Sequence, residues 1–218
     1  MNNTKLNQMN LPLLPSNGHY VEHENECFDL GTIGWFLSKG ITNKNRYKYF
    51  IFLNSSVRGP YLVSYYEENQ WEKIFTNRLN DYVKLVGPTI SCQASPHVQS
   101  YFWAMDRIAL DILLNDSEIF SCHQTQVDAI YRGEIPASRL LFNNGFTIGS
   151  LMKKYQKIDF LKDGTRDCLY TQNPTGDKQV DGISLDPFEI VFVKFKSSSK
   201  DLQDLQQRIS VYDRWVHF

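Results

Sequence analysis

A short, almost wholly apolar run, Tyr47–Leu53 (YKYFIFL), most constrains the fold of this chain. Its length and its aromatic residues are typical of a strand that is covered on both faces, so we predict a central strand there. The polar segment Asn54–Gly59 follows directly and ends at the turn signal Gly59-Pro60. Ligands bind beyond the carboxyl ends of such strands in α/β sheets, and this segment is therefore a candidate site.

Strands and helices alternate along the rest of the chain. Further strands are predicted at Val83–Val86, Val98–Ala104 and Phe188–Phe195. Apolar spacing and capping signals predict helices at Phe28–Leu37, Trp71–Leu79, Asp106–Leu114, Gln124–Tyr131, Pro136–Phe142 and Asp201–Ile209. This alternation favours an α/β fold with a mixed, mainly parallel central sheet flanked by helices.

Length and charge limit the class of protein. A chain of 218 residues suits one domain, which we expect over residues 19–218, after an Asn-rich flexible leader at residues 1–18. The formal net charge of -1 removes the electrostatic attraction on which nonspecific nucleic-acid binding depends. We therefore expect no nucleic-acid partner, and the absence of a long apolar run predicts no membrane insertion.

The four cysteines are widely separated and form no Cys-x-x-Cys motif, so they give little support to a zinc site. Free, buried thiols are the expected state, with one or two disulfides as the alternative in a secretory compartment. The sequence shows no signal peptide or transmembrane segment. A cytoplasmic location is thus the default, and the lumen of the secretory pathway is the alternative for a longer precursor.

The first candidate segment is Glu24–Trp35. Asn25 and Asp29 flank the start of a predicted helix, where backbone N–H groups can face an anion such as a diphosphate. The alternative, which spacing alone favours, is that Asp29 caps the helix and that Gly31 and Gly34 are packing glycines.

The second candidate segment is Phe52–Pro60. Asn54, Ser55 and Ser56 offer neutral hydrogen-bonding groups, and Arg58 offers a bidentate donor to phosphate. The alternative is a polar turn with a surface arginine.

The third candidate segment is Pro96–Arg107. His97 is a candidate general base, Gln99 and Ser100 are candidates for binding hydroxyls, and Asp106 is a candidate carboxylate base. The alternatives are a loop histidine with its hydrogen bonds satisfied and an aspartate that caps the following helix. Gly-x-Gly-x-x-Gly, Walker and nucleophile-elbow motifs are absent from the sequence, which disfavours dehydrogenase, NTPase and hydrolase functions.

Five segments carry a resemblance to a known family: NECFDLGTIGW, YKYFIFLNSSVRGP, VKLVGPTISC, PHVQSYFWAMDRIALDILL and DGISLDPFEIVFVK. Together they resemble a poorly characterised family of glycosyltransferase-like proteins of algae, plants and large viruses, over residues 24–195. More distantly, Asn25, Asp29 and Gly31 are similar to the Asn-x-Gly-x-Asp-x-Gly signature of rhamnan-synthesis glycosyltransferases, with Cys27 in place of its first glycine. The resemblance implies a GT-A fold that binds a nucleotide sugar.

The sequence departs from the GT-A pattern at the metal site. GT-A transferases carry an Asp-x-Asp pair after the strand equivalent to Tyr47–Leu53, and this pair holds Mn²⁺ or Mg²⁺ on the diphosphate. Asn54-Ser55-Ser56 stands there in this chain, and neutral groups hold a divalent cation weakly. This departure favours a site in which Arg58, another cation or a helix N-terminus offsets the charge of the leaving group, with no cofactor assigned. Binding of Mn²⁺ or Mg²⁺ without the Asp-x-Asp pair stays open as the alternative.

A second departure concerns the first βα unit of the GT-A fold, because only a short leader precedes Glu24. The resemblance implies a domain that lacks this unit, or a unit supplied by a partner chain or by a longer precursor. The expected function is transfer of a sugar from a nucleotide sugar to a hydroxyl of a glycan or glycoprotein. In this hypothesis the donor side carries Asn25, Asp29, Asn54, Ser55, Ser56 and Arg58, and the acceptor side carries Gln99, Ser100 and the catalytic candidates His97 and Asp106.

Two alternatives from other classes remain open at this point. One is a noncatalytic module that binds a glycan or a nucleotide sugar, which predicts binding without turnover. The other is a structural partner subunit, which predicts an exposed apolar patch where the absent unit would pack.

Overall fold

The computed structural model describes residues 11–24, 26–67, 70–163, 168, 173–176, 178–194, 207, 210–212 and 214. The α-helices are α1 (Phe28–Ser38), α2 (Trp71–Thr76), α3 (Arg107–Leu114), α4 (Gln126–Asp128), α5 (Ile135–Asn143) and α6 (Pro187–Ile190). A π-helix, Ala129–Glu134, joins α4 to α5, and 3₁₀ turns lie at Lys44–Arg46 and Lys153–Tyr155. The strands are β1 (Tyr49–Leu53), β2 (Val57–Arg58), β3 (Val83–Gly87), β4 (Ile90–Ser91), β5 (His97–Val98), β6 (Phe102–Asp106), β7 (Thr147–Ser150) and β8 (Val193–Lys194).

The central sheet has four strands in the order β1-β6-β3-β7. Strand β6 is antiparallel to both β1 and β3, whereas β3 and β7 are parallel. Strands β1, β3 and β7 therefore run in one direction and β6 runs against them. The predicted mixed sheet flanked by helices is confirmed, but the prediction that the sheet is mainly parallel is wrong, because two of its three pairings are antiparallel. Among the described residues β1 pairs with β6 alone, so it is an edge strand and the prediction of a central strand is wrong.

The sheet separates two apolar cores because its side chains alternate between faces. Trp103 and Met105 pack on one face, together with side chains of α3 and α5. Phe102 points to the other face, where its ring lies 4.2 Å from that of Phe75 in α2 and 4.9 Å from that of Phe192. Helices thus cover both faces of the sheet, as the apolar patterns of the sequence predicted.

The predicted strand Val98–Ala104 is in fact interrupted. Strand β5 ends at Val98 and β6 begins at Phe102, with a turn between them in which the backbone N–H of Phe102 donates to the carbonyl of Gln99. The apolar run is continuous in sequence, so periodicity alone did not reveal this turn. Gln99 and Ser100 consequently lie in a loop at the sheet edge rather than within a strand.

The predicted strand Phe188–Phe195 is also wrong in its first half, where Pro187 and the capping carboxylate of Asp186 start the short helix α6. Only Val193–Lys194 forms a strand there, and residue 195 lies outside the described residues. Of the predicted helix Asp201–Ile209, the structure describes only Gln207, which is helical.

The remaining predicted elements are confirmed with small shifts of their ends, as in α1, α2 and α3. The predicted helices at 124–131 and 136–142 correspond to one helical segment, 126–143, which is π-helical in its middle. Strand β7 was not predicted.

All four cysteines form disulfides, Cys27–Cys122 and Cys92–Cys168, which replaces the expectation of free thiols. Sequence spacing could not show these pairs because their members lie 95 and 76 residues apart. Structural disulfides are typical of proteins that mature in an oxidising compartment.

Two further expectations concern the leader and the membrane. Residues 11–17 are exposed, and the rest of the predicted leader before them lies outside the described residues. No helix in the described part of the chain has both the length and the apolar character required to cross a bilayer.

Candidate functional site

A cavity of about 540 Å³ opens at the sheet edge where β1 ends and β6 begins. This volume lies in the range of ligand pockets, about 300–1,000 Å³. All three candidate segments contribute to its walls, through Asp29, Asn54, Ser55, Ser56, His97, Gln99 and Ser100. Seven of the ten predicted site residues therefore lie in the walls of one cavity.

The structure leaves three predicted residues outside the cavity walls. Asn25 lies outside the described residues. Arg58 is exposed on β2 and pairs with Val193, and it does not line the cavity. Asp106 lies at the opposite end of β6, paired with Tyr49 at the start of β1.

The position of Asp106 follows from the antiparallel direction of β6. If β6 ran parallel to β1, its last residue, Asp106, would lie near Asn54. Because β6 is antiparallel to β1, Asp106 lies at the opposite edge of the sheet. There its Oδ1 accepts a hydrogen bond from the backbone N–H of Ala109 at 3.0 Å and caps α3. Its Oδ2 accepts from the buried ammonium of Lys84 at 2.7 Å. Asp106 is thus a structural residue in this fold, as the capping alternative predicted.

Close packing of α1 places Asp29 at the cavity. Helix α1 packs closely against the backbone of residues 120–122. A Cβ on Gly34 would lie only 2.1 Å from the carbonyl oxygen of Phe120. A Cβ on Gly31 would likewise lie 2.9 Å from the carbonyl of Ser121. Both glycines are therefore packing glycines, and the disulfide of Cys27 holds the same contact covalently. Cys27, not Asp29, occupies the N-cap position of α1.

The carboxylate of Asp29 accepts hydrogen bonds from three donors. Its Oδ2 accepts from the hydroxyl of Ser100 at 2.9 Å and from the side-chain amide of Asn54 at 3.3 Å. Its Oδ1 accepts from the N–H of Leu30 at 3.0 Å. One carboxylate thereby connects the three candidate segments.

The polar turn after β1 is ordered by Asn54. Its Oδ1 accepts from the backbone N–H of Ser56 at 3.0 Å and from the Ser56 hydroxyl at 2.6 Å, which is an Asx-turn. The backbone N–H of Asn54 donates to the Tyr101 carbonyl at 3.1 Å. The turn therefore presents its amide and hydroxyl groups to the cavity in a defined geometry.

Sequence analysis missed Glu134, a buried carboxylate of the π-helix that lines the cavity. Its Oε2 accepts from the backbone N–H of Ser100 at 2.5 Å, and its Oε1 lies 3.4 Å from Nε2 of His97. Burial raises the pKa of Glu134. The hydrogen bond and charge of His97 and the hydrogen bonds from Ser100 lower this pKa by more than burial raises it, so the pKa falls below the ordinary value of 4.5. Glu134 is therefore a carboxylate at neutral pH.

His97 is 3% exposed and has an acceptor at each ring nitrogen. Nδ1 lies 2.7 Å from the carbonyl oxygen of Ser95, so Nδ1–H donates to it. Nε2 faces the Glu134 carboxylate. Each ring nitrogen therefore faces an acceptor, and neither is placed to take a proton from a ligand.

The helical spacing of the sequence around Glu134 is the signal that indicates a buried carboxylate there. Residues 134, 137, 138 and 141 are all buried and follow the helical spacing of one apolar stripe. A carboxylate on such a stripe needs a buried partner, and His97 with Ser100 supplies it.

Lys194 is the second residue that sequence analysis missed. It lies on β8, paired with Val57 of β2, and is the only lysine or arginine among the described residues that line the cavity. The other charged lining groups are the carboxylates of Glu26, Asp29 and Glu134.

Potential metal ligands come together once among the described residues, at His23, Glu26 and Cys27. The sulfur of Cys27 is bonded to Cys122 and cannot act as a thiolate ligand. Two remaining ligands are fewer than the three or four that a protein zinc site requires. This group therefore does not fit a metal site.

Comparisons with protein-family models, with curated proteins and with solved structures find no match for this chain. The interpretation of the cavity therefore depends on its own residues and geometry.

Proposed function

We propose that this chain is a glycosyltransferase-like domain that binds a nucleotide sugar in the cavity and transfers the sugar to a hydroxyl of a glycan or glycoprotein. One observation carries the proposal: the side chains of Asn54 and Ser100 converge on a single carboxylate oxygen of Asp29. These residues come from the three segments whose sequences resemble a nucleotide-sugar transferase. Their meeting in one cavity of ligand size is what such a site requires.

The diphosphate end of the donor needs a positive charge, because the position of the Asp-x-Asp pair holds Asn54-Ser55-Ser56. We assign this role to Lys194, which lines the cavity, in place of Arg58, which does not. Amide and hydroxyl groups of the Asn54 turn then bind phosphate or ribose oxygens without a metal. Binding that does not depend on Mn²⁺ follows from this arrangement.

Transfer also needs a group that accepts the proton of the acceptor hydroxyl. In an inverting reaction the acceptor oxygen forms a bond to the anomeric carbon, the bond from that carbon to the diphosphate breaks with its electron pair on the leaving oxygen, and the hydroxyl proton goes to a base. Asp29 is the half-buried cavity carboxylate without a cationic partner among the described residues, so we assign it as this base. Asp106 lies too far along β6, and both nitrogens of His97 face acceptors.

One observation favours the second candidate, a noncatalytic module that binds a glycan or nucleotide sugar. Both residues that the sequence marked as catalytic, His97 and Asp106, are used in buried pairs with Glu134 and Lys84. A protein that binds without turnover would show this pattern.

A thermal-shift screen of UDP-, GDP- and dTDP-sugars, each with and without Mn²⁺, tests the proposal. A donor present at one hundred times its Kd stabilises the folded state by about 2.7 kcal/mol, which is readily measured as a rise in Tm. We expect stabilisation by at least one nucleotide sugar without Mn²⁺. A donor-hydrolysis assay on each hit then separates the two candidates, because only the transferase releases free sugar.

Three variants locate the binding site. Asn54→Leu and Lys194→Met should each weaken donor binding about tenfold or more, since each removes a polar contact to the ligand. Arg58→Met is the matched control, because Arg58 lies in the same β2–β8 ladder but does not line the cavity. Equal loss in Arg58→Met and Lys194→Met would contradict the assignment of Lys194, and absence of any nucleotide-sugar binding would refute the proposed function.

A further inference from the structure

Two large aromatic side chains that line the cavity are exposed. Phe28 is 43% exposed and Tyr131 is 56% exposed. An exposed ring does not contribute the hydrophobic stabilisation that a buried ring would provide. Rings that line a polar cavity instead offer flat apolar surfaces to a ligand.

The backbone at Phe28 is in a strained, left-handed conformation. Phe28 has a φ of 53° and the preceding Cys27 has a φ of 68°, so two successive non-glycine residues adopt the left-handed conformation. Each such residue costs about 1 kcal/mol or more, and strained residues persist where the surrounding structure fixes them. Here the Cys27–Cys122 disulfide fixes the entry to α1.

Packing between two helices places Tyr131 in the wall of the same cavity. Tyr131 lies on the π-helix, a form that is frequent at functional sites. Leu30 of α1 approaches Gly133 of the π-helix so closely that a Cβ on Gly133 would lie 3.0 Å from the Leu30 Cδ1. Phe28 and Tyr131 each lie two residues from this contact, and both rings reach the same cavity.

We propose that Phe28 and Tyr131 form a subsite that binds a neutral pyranose of the glycan acceptor. The axial C–H groups on one face of a pyranose are apolar and pack on aromatic rings, while its hydroxyls need hydrogen-bond acceptors around the edge. The carboxylates of Glu26 and Asp29 and the amide of Gln126, all cavity residues, provide acceptors of this kind.

Charge selects a neutral sugar over a phosphorylated ligand at this end of the cavity. Glu26 lies two residues from Phe28 and repels phosphate, whereas the cationic side chain of Lys194 comes from the β2–β8 ladder. The subsite rests on the proposed function in one respect, namely that the pyranose belongs to the acceptor of that reaction.

The test uses an array of neutral oligosaccharides, followed by saturation-transfer NMR and affinity measurement on each hit with the whole protein. We expect Phe28→Gly and Tyr131→Ala to weaken oligosaccharide binding tenfold or more, and Tyr131→Phe to retain it. Tyr82→Ala, which removes a ring that is 73% exposed and outside the cavity, should leave binding unchanged.

Stability distinguishes a binding role from a structural one. Glycine adopts a φ of 53° without strain, so Phe28→Gly should keep or raise the Tm while it weakens binding. A large fall in Tm in Phe28→Gly would instead show that the ring stabilises the fold.

UDP is the second probe, and it separates the subsite from the proposed function. Oligosaccharide binding that depends on Phe28 and Tyr131, in a protein that binds no UDP or nucleotide sugar, supports the subsite and refutes the transferase. UDP affinity that falls in Phe28→Gly while oligosaccharides do not bind would show that the rings stack on a nucleobase, and it would overturn the subsite. Failure of every neutral glycan on the array to bind would also overturn it.

Discussion

The hydroxyl of Ser100 donates a hydrogen bond to Oδ2 of Asp29 at 2.9 Å, across a sequence separation of 71 residues. The amide of Asn54 donates to the same oxygen at 3.3 Å. Asp29 therefore has two roles: it joins the helix α1 to the edge of the sheet, and it presents a carboxylate to the cavity. A substitution of Asp29 is therefore expected to change both the stability of the fold and the chemistry of the cavity.

Asp29→Asn should lower the rate of sugar transfer or donor hydrolysis at least a hundredfold, because an amide cannot accept the proton of a hydroxyl. Loss of the charged acceptor should also lower the free energy of unfolding by about 1–2 kcal/mol, measured by urea denaturation. Ser100→Ala is the control, since it removes one hydrogen bond to Asp29 and leaves the carboxylate in place. Wild-type turnover in Asp29→Asn would show that the base is another residue.

Asp106→Asn should destabilise the fold without affecting ligand binding. Asparagine still caps α3, but the ammonium of Lys84, which is 4% exposed, loses its partner. An unpaired buried charge costs about 3–5 kcal/mol. The double variant Lys84→Met/Asp106→Asn should recover much of this loss, because neither charge remains. Normal stability together with lost turnover in Asp106→Asn would instead mark Asp106 as catalytic.

Glu134→Gln should lower the free energy of unfolding at pH 7 by about 1–3 kcal/mol, because His97 loses its charged partner. The folded-state pKa of Glu134 lies below the ordinary value of 4.5, so its contribution is complete above that pH and is lost as the pH falls through the lowered value. The stability difference between wild type and Glu134→Gln should therefore shrink as the pH falls below 4.5.

A surface pair provides the control for this pH dependence. Glu118 lies 3.0 Å from Arg132, and both side chains are about half exposed. Glu118→Gln should change stability by less than about 1 kcal/mol. A difference for Glu134→Gln that is constant from pH 3 to pH 7 would contradict the stabilising role of the Glu134 carboxylate.

Reduction of the disulfides should destabilise the protein and weaken ligand binding. For closed loops of 95 and 76 residues, chain entropy alone predicts a stabilisation of about 4–5 kcal/mol for each bond. Cys27 lies two residues before Asp29, so loss of its bond should loosen the cavity wall directly. Unfolding with and without a reducing agent, and ligand titration of Cys27→Ser/Cys122→Ser beside Cys92→Ser/Cys168→Ser, measure both effects. Unchanged Tm after complete reduction would contradict this expectation.

Local pattern predicted most of the elements because their signals are short-range. The apolar run of β1, the helical spacing of α3 and the cap Asp106 were all readable from neighbouring residues. Errors arose where tertiary pairing decided the outcome. The turn between β5 and β6 interrupts one continuous apolar run, and α6 replaces the start of a predicted strand.

Of the residues predicted after β1, Asn54, Ser55 and Ser56 line the cavity and Arg58 does not, and the prediction failed for Asp106 because strand direction decided its position. The sequence could not show that β6 runs antiparallel to β1, and this direction moved Asp106 away from the cavity. It also could not show that Glu134 and Lys194 reach the cavity, because neither belongs to a recognisable motif.

The sequence by itself determined the α/β class, most of the helices and strands, and the polar turn that follows β1, since these depend on residue type and on contacts between near neighbours. Tertiary structure alone decided the strand directions, the disulfide pairs and the partners of each buried charge. The physical reason is that these features depend on which distant segments pack together, and a carboxylate such as Asp29 or Asp106 has the same local sequence signal whether it faces a cavity or a buried lysine.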